Sequence, residues 1–181
     1  MTKQKIMKKI TLIVLIGAMI LGISSCKKES LPTMTANMNG TETNFIFRST
    51  TMGNIPGIGD GFLILGTTLN ATDGEYLALL IRDTEERAYS LSATLSGGKY
   101  ECEALYRKDG KEDTTNVYIG QSGTITITKL DEKNKKISGT FSLKMVNKLI
   151  NDDTFDITEG QFSNLSYVKL DADIITDDFD L

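Results

Sequence analysis

The side chains here that could do covalent or acid–base chemistry are few in kind: two cysteines, 24 carboxylates and no histidine. Without histidine, neither a Ser-His-Asp nor a Cys-His nucleophile pair can be assembled. Zinc is left with poor ligands, so no metal site is expected. One catalytic option remains, a glycosidase-type carboxylate pair, for which Glu103, Asp156 and Glu159 are the nominal candidates. Such a pair needs a cleft and, usually, aromatic rings that stack on sugar. The chain has no tryptophan, and most of its acids fall on turns or outward strand positions. The expectation is no catalytic residue and no cofactor, with a carboxylate-based glycan hydrolase as a remote alternative.

Gly57-x-Gly59-x-Gly61 has the look of a phosphate cradle, but that chemistry needs a strand before the glycines and a helix after them. A proline and an oily run flank them instead. The segment Ser49–Gly61 is expected as a flexible loop, and Asn54, Ile55, Pro56, Gly57, Ile58, Gly59 and Asp60 as a possible interaction loop on it. The C-terminal aspartates 171, 173, 177, 178 and 180 lack the glycine and terminal glutamate of a calcium loop, and read as a solvated tail.

The thiol with the most telling neighbours is Cys26. Lys3, Lys5, Lys8 and Lys9 precede an apolar run, Ile10–Ile23, shorter than the roughly 20 residues of a membrane-spanning helix. Small residues, Ser24 and Ser25, follow, as cleavage of an export signal requires. Ile23-Ser24-Ser25-Cys26 resembles the lipobox of bacterial lipoproteins. The reading is therefore cleavage between Ser25 and Cys26 and lipid attachment at Cys26, against the alternative of an uncleaved anchor helix. Two or three acyl chains suffice for stable anchoring. Losing the four signal lysines takes the net charge from −4 to −8. An acidic domain has no electrostatic route to nucleic acid, and anionic headgroups repel it, so membrane attachment falls to the lipid. With Cys26 committed, Cys102 has no disulfide partner. Its alternation with Tyr100, Ala104 and Tyr106 places it on the inward face of a strand as a small hydrophobe.

The elements that position these residues read as β throughout. Ile137, Gly139, Phe141, Leu143 and Met145 alternate with Ser138, Thr140, Ser142 and Lys144, a period of two that sends one set to a core. Ile125 and Ile127 do the same among threonines. Met34, Ala36 and Met38 lead to Asn39-Gly40, a type I′ turn signal, and a return strand Thr41–Arg48 with Phe45 and Phe47 on one face. FLILGT (62–67) and YLALLIR (76–82) are strands apolar on both faces, and a short strand centres on Val117 and Ile119. From Phe155 and Ile157 the apolar parity shifts at Phe162 and returns at Leu165, which predicts a bulge near Glu159-Gly160. The fold class is all-β: a single antiparallel sandwich or up-and-down barrel-like domain of about 8–10 strands over residues 33–168. It follows a signal peptide (1–25) and a lipidated tether (26–32), and precedes an acidic tail (169–181).

MTANMNG, GTITITKLDEKNKKISGTFSLKM and ITEGQFSNLSY together resemble a family of small Bacteroidetes envelope lipoproteins of unknown function. The resemblance implies an all-β domain and a lipid-anchored address in the bacterial cell envelope, with the outer membrane as the expected membrane. It leaves periplasmic and surface orientation both open, because one acidic residue follows Cys26-Lys27-Lys28. Asp113-Thr114-Thr115 resembles a short O-glycosylation motif of that phylum. Two tasks remain for the domain. One is interaction with an envelope protein partner or a structural accessory role, favoured by bulky inward residues. The alternative is a lipocalin-like module for a small apolar or glycan ligand.

Overall fold

The computed structural model describes residues 30–55, 59–68, 74–92, 98, 100–108, 116–150 and 153–170. The described residues belong to the compact unit Leu31–Leu181, apart from Ser30. They form eleven strands: β1 Thr33–Met38, β2 Thr41–Asn44, β3 Phe47–Ile55, β4 Gly59–Thr67, β5 Tyr76–Ile81, β6 Ala88–Ser90, β7 Cys102–Arg107, β8 Val117–Asp131, β9 Lys136–Asn147, β10 Asp153–Ser166 and β11 Val168–Lys169. No α-helix occurs among the described residues.

All eleven strands belong to one sheet, ordered β11-β3-β4-β5-β7-β8-β9-β10-β1-β2, with β6 on β8. Neighbours pair antiparallel except β11 with β3. The sheet curls on itself because two chain segments serve both its ends. The Phe45 amide donates to the Met34 carbonyl (2.9 Å) and the Ile46 amide to the Thr67 carbonyl (2.8 Å), so the β2–β3 segment leaves β1 and joins β4. At the other seam β10 runs through Tyr167 into β11, which lies along β3. A closed sheet has no long free edge to recruit a foreign strand. The architecture is thus a single curled, barrel-like sheet, and the eleven segments exceed the expected strand number because these two continuous runs are each broken once.

Inward side chains fill the curl. Phe45, Phe62, Tyr89, Ile125, Ile137 and Ile157 are fully buried, and Ile127, Phe141, Leu143, Met145 and Phe162 nearly so. The two longest alternations, in β8 and β9, keep the faces that their periodicity assigns. Asn39 and Gly40 have φ of 51° and 87°, the left-handed pair that a two-residue hairpin needs between Met38 and its partner Thr41.

The parity shift in β10 is a pair of bulges. Ile157 faces Leu143 and Gly160 faces Phe141, so two residues oppose Ser142 alone. Phe162 faces Gly139 and Leu165 faces Ile137, so two oppose Ser138. Glu159 and Asn164, both at φ 51°, are the extra residues' turning points. The first bulge sets up a cross-strand exchange. Gly160 lies under the Phe141 ring and Gly139 under the Phe162 ring, and the two rings stack with centroids 6.5 Å apart and planes at 21°. A Cβ at either glycine would fall inside contact distance of the ring above it.

Several sequence expectations are corrected. Ser49–Gly61 is not a loop: most of it is β3 and the start of β4, paired without a break from Phe47↔Thr67 to Ile55↔Gly59. Its polar composition suggested a loop, but its threonines suit a pleated strand and β4 supplies the ladder partners. The return strand bends at Phe45–Ile46; Phe45 takes its core place, and the side chain of Phe47 lies outside the described residues. The separate strand around Val117 and Ile119 is the first part of β8, continuous with Gly123–Leu130 through a bulge between Gly120 and Ser122. There Tyr118 faces inward and Ile119 is 38% exposed. Tyr100, expected inward, is 47% exposed because β7 begins only at Cys102. The sheet also includes Lys169, one residue into the segment read as tail.

The ring–glycine exchange predicts specific coupling. Phe141→Ala should cost roughly 3–5 kcal/mol in urea unfolding, and Gly160→Ala roughly 1–3 kcal/mol by overpacking. Combined, they should cost less than their sum, because removing the ring relieves the methyl's side-chain clash while its close approach to the Phe141 carbonyl oxygen remains. Strict additivity would show that the ring does not rest on Gly160.

Candidate functional site

Of the sequence-predicted site residues, Ser25 and Cys26 lie outside the described residues, as do Pro56, Gly57, Ile58 and the Asp113-Thr114-Thr115 motif. The aspartates of the tail lie there too. Asn54 and Ile55 end β3, Gly59 and Asp60 begin β4, and Asn54 pairs with Asp60 across the hairpin. Asp60 also takes an ion pair from Lys169 at 3.4 Å. The described residues of the candidate interaction segment are therefore paired ends of β3 and β4. The nominal acid pair is not assembled. Asp156 and Glu159 are exposed on β10, whereas Glu103 sits on β7 and is bound by Arg82 at 2.9 Å. Strands β8 and β9 stand between them.

Two other places concentrate polar groups against apolar walls. The first is a fork in the sheet, where β8 pairs with β7 up to Ile119 and with β6 from Thr124 onward. Leu91 fills the gap, its amide donating to the Gly123 carbonyl at 3.1 Å. A cavity of about 700 Å³ opens there, floored by Leu91, Cys102 and Ala104. Arg82, only 8% exposed, edges it. Its Nη1 donates to the Tyr100 carbonyl (3.0 Å) and pairs with Glu103, which pins the entry to β7. Arg87 braces the same corner: it pairs with Asp83 (2.9 Å) and Glu101 (3.2 Å), and its guanidinium lies 4.0 Å from the Tyr89 ring centroid. These contacts are explained by strand architecture, since β6 pairs with β8 over only three residues and β7 leaves β8 beyond Leu105.

The second place is one mouth of the curled sheet. Tyr106 (β7), Tyr118 (β8) and Phe155 (β10) meet there, Phe155 edge-to-face with both tyrosines at 5.0 Å. The tyrosine rings are 6.0 Å apart. Tyr118 Oη donates to Asp153 Oδ2 at 2.9 Å, and the Glu75 carboxylate lines the same cavity as Tyr106. Burial pushes both phenols above their ordinary range, and the carboxylates push them further, so both stay protonated donors. A cavity of about 340 Å³ is lined by these five side chains together with Met38, and Lys108 stands exposed at its rim. Sequence reasoning had Tyr106 on an inward face but missed the cluster. Its members come from three strands, and no local spacing links Glu75 to Asp153.

Cys102 is fully buried, as its alternation implies, and burial, reinforced by Glu101, pushes its thiol up to about 12. Among the described residues no group of three or more His, Cys, Asp or Glu is placed to hold a metal ion. No described helix is long and apolar enough to cross a membrane. The model of a family described as a domain of unknown function (DUF6252) matches residues 34–166. No curated protein and no solved structure matches the chain.

The buried thiol and phenols predict an alkaline limit. Cys102 moves from an ordinary 9.0 to about 12, and Tyr89, through burial and then Asp83, from 10.0 to about 12. The folded state thus holds these protons more tightly than the unfolded chain. Their contribution is complete below pH 9 and is lost as pH rises toward 12. The urea midpoint should be flat below that window and fall within it, and Cys102 should resist thiol reagents at neutral pH until the chain is unfolded. Rapid native labelling at neutral pH would contradict the burial.

Proposed function

The chain belongs to the DUF6252 family, a domain of unknown function, and on that premise we propose that it is a lipid-anchored, non-catalytic β domain of the bacterial envelope that acts by contacting another protein. The observation that carries this reading is the filled interior. A carrier of the lipocalin kind needs room inside its sheet for one ligand. Here Phe45, Phe62, Phe141, Phe162 and Tyr89 occupy that space. Function is then left to the outside and the ends of the sheet.

The anchor is supported by the residue order around Cys26: a basic start, a short apolar run, two serines, then the thiol. Tethering confines the domain to a surface layer and raises its effective concentration toward any partner held there, so modest contacts suffice. The paired strand ends at Asn54–Ile55 and Gly59–Asp60 suit such contacts, since less entropy is lost when already paired backbone binds.

Cys26→Ser in the native organism should accumulate unprocessed precursor, read as slower migration and absence of incorporated palmitate. Normal processing of that variant would remove the anchor from the proposal. Photo-crosslinkers at Asn54 and Asp60 should capture one protein reproducibly in cells, and native mass spectrometry should show no small molecule at one per chain inside the sheet. A stoichiometric co-purifying lipid or glycan would overturn the contact reading in favour of a carrier.

A further inference from the structure

We infer that the mouth built by Tyr106, Tyr118, Phe155, Met38, Glu75 and Asp153 is a binding site for an alkylammonium group. The argument is chemical and independent of the lipid anchor. Three aromatic rings and a thioether make a polarisable wall, and ring quadrupoles attract a cation rather than a neutral or anionic group. Two carboxylates face the same cavity. Asp153 accepts from Tyr118, which fixes its orientation and uses only part of its acceptor capacity, and Glu75 lines the cavity with Tyr106. Neither has an ion-pair partner among the described residues.

The positions follow from the sheet. Tyr106 and Tyr118 are directly opposed on β7 and β8. Phe155 comes from β10, two strands beyond Tyr118, and Asp153 stands two residues before it. Closure of the sheet gathers what the chain order separates, so the rings form a cluster in space. The cavity of about 340 Å³ holds a trimethylated or primary ammonium on a short stem. An anion is disfavoured by both carboxylates. A neutral sugar draws nothing from the ring quadrupoles and brings no counter-charge to the two carboxylates. Among the described lining residues Lys108 is the one cation; being exposed, it flanks the cavity rather than filling it.

The test uses the full chain in a non-ionic detergent. The probes are choline, n-butylammonium and neohexyl alcohol, the neutral isostere of choline, with sodium chloride added to match ionic strength. Because the chain has six tyrosines and no tryptophan, tyrosine ring resonances and tyrosine fluorescence both report on the site. At least one cation should shift the Tyr106 and Tyr118 resonances saturably, and neohexyl alcohol should bind at least about tenfold more weakly than choline or not at all. Whichever cation binds more tightly identifies the substitution state of the natural ammonium. Asp153→Asn and Glu75→Gln should each weaken cation binding about tenfold, with circular dichroism unchanged. Equal binding of choline and its isostere would overturn the proposal. So would the absence of any shift at Tyr106 and Tyr118 in the wild-type chain, which would make the mouth a structural plug.

Discussion

The structure depends on the reciprocal stacking of two phenylalanines over two glycines. Phe141 on β9 lies across Gly160 on β10, and Phe162 on β10 lies across Gly139 on β9. Opposite glycines, each ring finds a floor, and each glycine has its backbone covered. The register that permits this exists only because the bulge at Thr158-Glu159 advances β10 by one residue. Without it Phe162 would point outward, and the core would lose one of its largest side chains.

That bulge also helps the sheet to curl. An extra residue bends its strand and increases the local twist. Bulges recur in β8, the first beside Gly120 and the second after Ile127. The longest strands are therefore the ones that bend, and bending brings β1 and β10 around to the segment that becomes β3. Once closed, the sheet has a small interior, and side chains fill it. Among the described residues this packing places the largest side chains inside, and the polar groups gather at the fork and the mouth.

The two ends use charge differently. At the fork, Arg82 and Arg87 meet Glu103, Asp83 and Glu101 in compensated pairs. At the mouth, Asp153 is held by the Tyr118 phenol rather than by a cation, and Glu75 lines the same cavity. A hydrogen bond from a neutral donor brings no counter-charge to a carboxylate, whereas an arginine pair is neutral overall. This asymmetry separates a brace from a receptive site, although both are built from acids near aromatic rings.

The sequence by itself determined the strand content, the inward faces of β8 and β9, the Asn39-Gly40 hairpin and the bulge near Glu159-Gly160. Each is a local property, written in the alternation of neighbouring side chains or in the dihedral demands of a turn. Burial of Cys102 was legible for the same reason. Ser49–Gly61 was misread because polar residues with glycines look alike in a loop and in a strand whose partner does the packing. Tertiary structure alone decided that the sheet closes rather than stacking as two layers, and that Tyr106, Tyr118 and Phe155 share a mouth with Glu75 and Asp153. Those are long-range outcomes. Twist and bulges accumulate over the whole sheet before its ends meet, and no short window of sequence contains that sum.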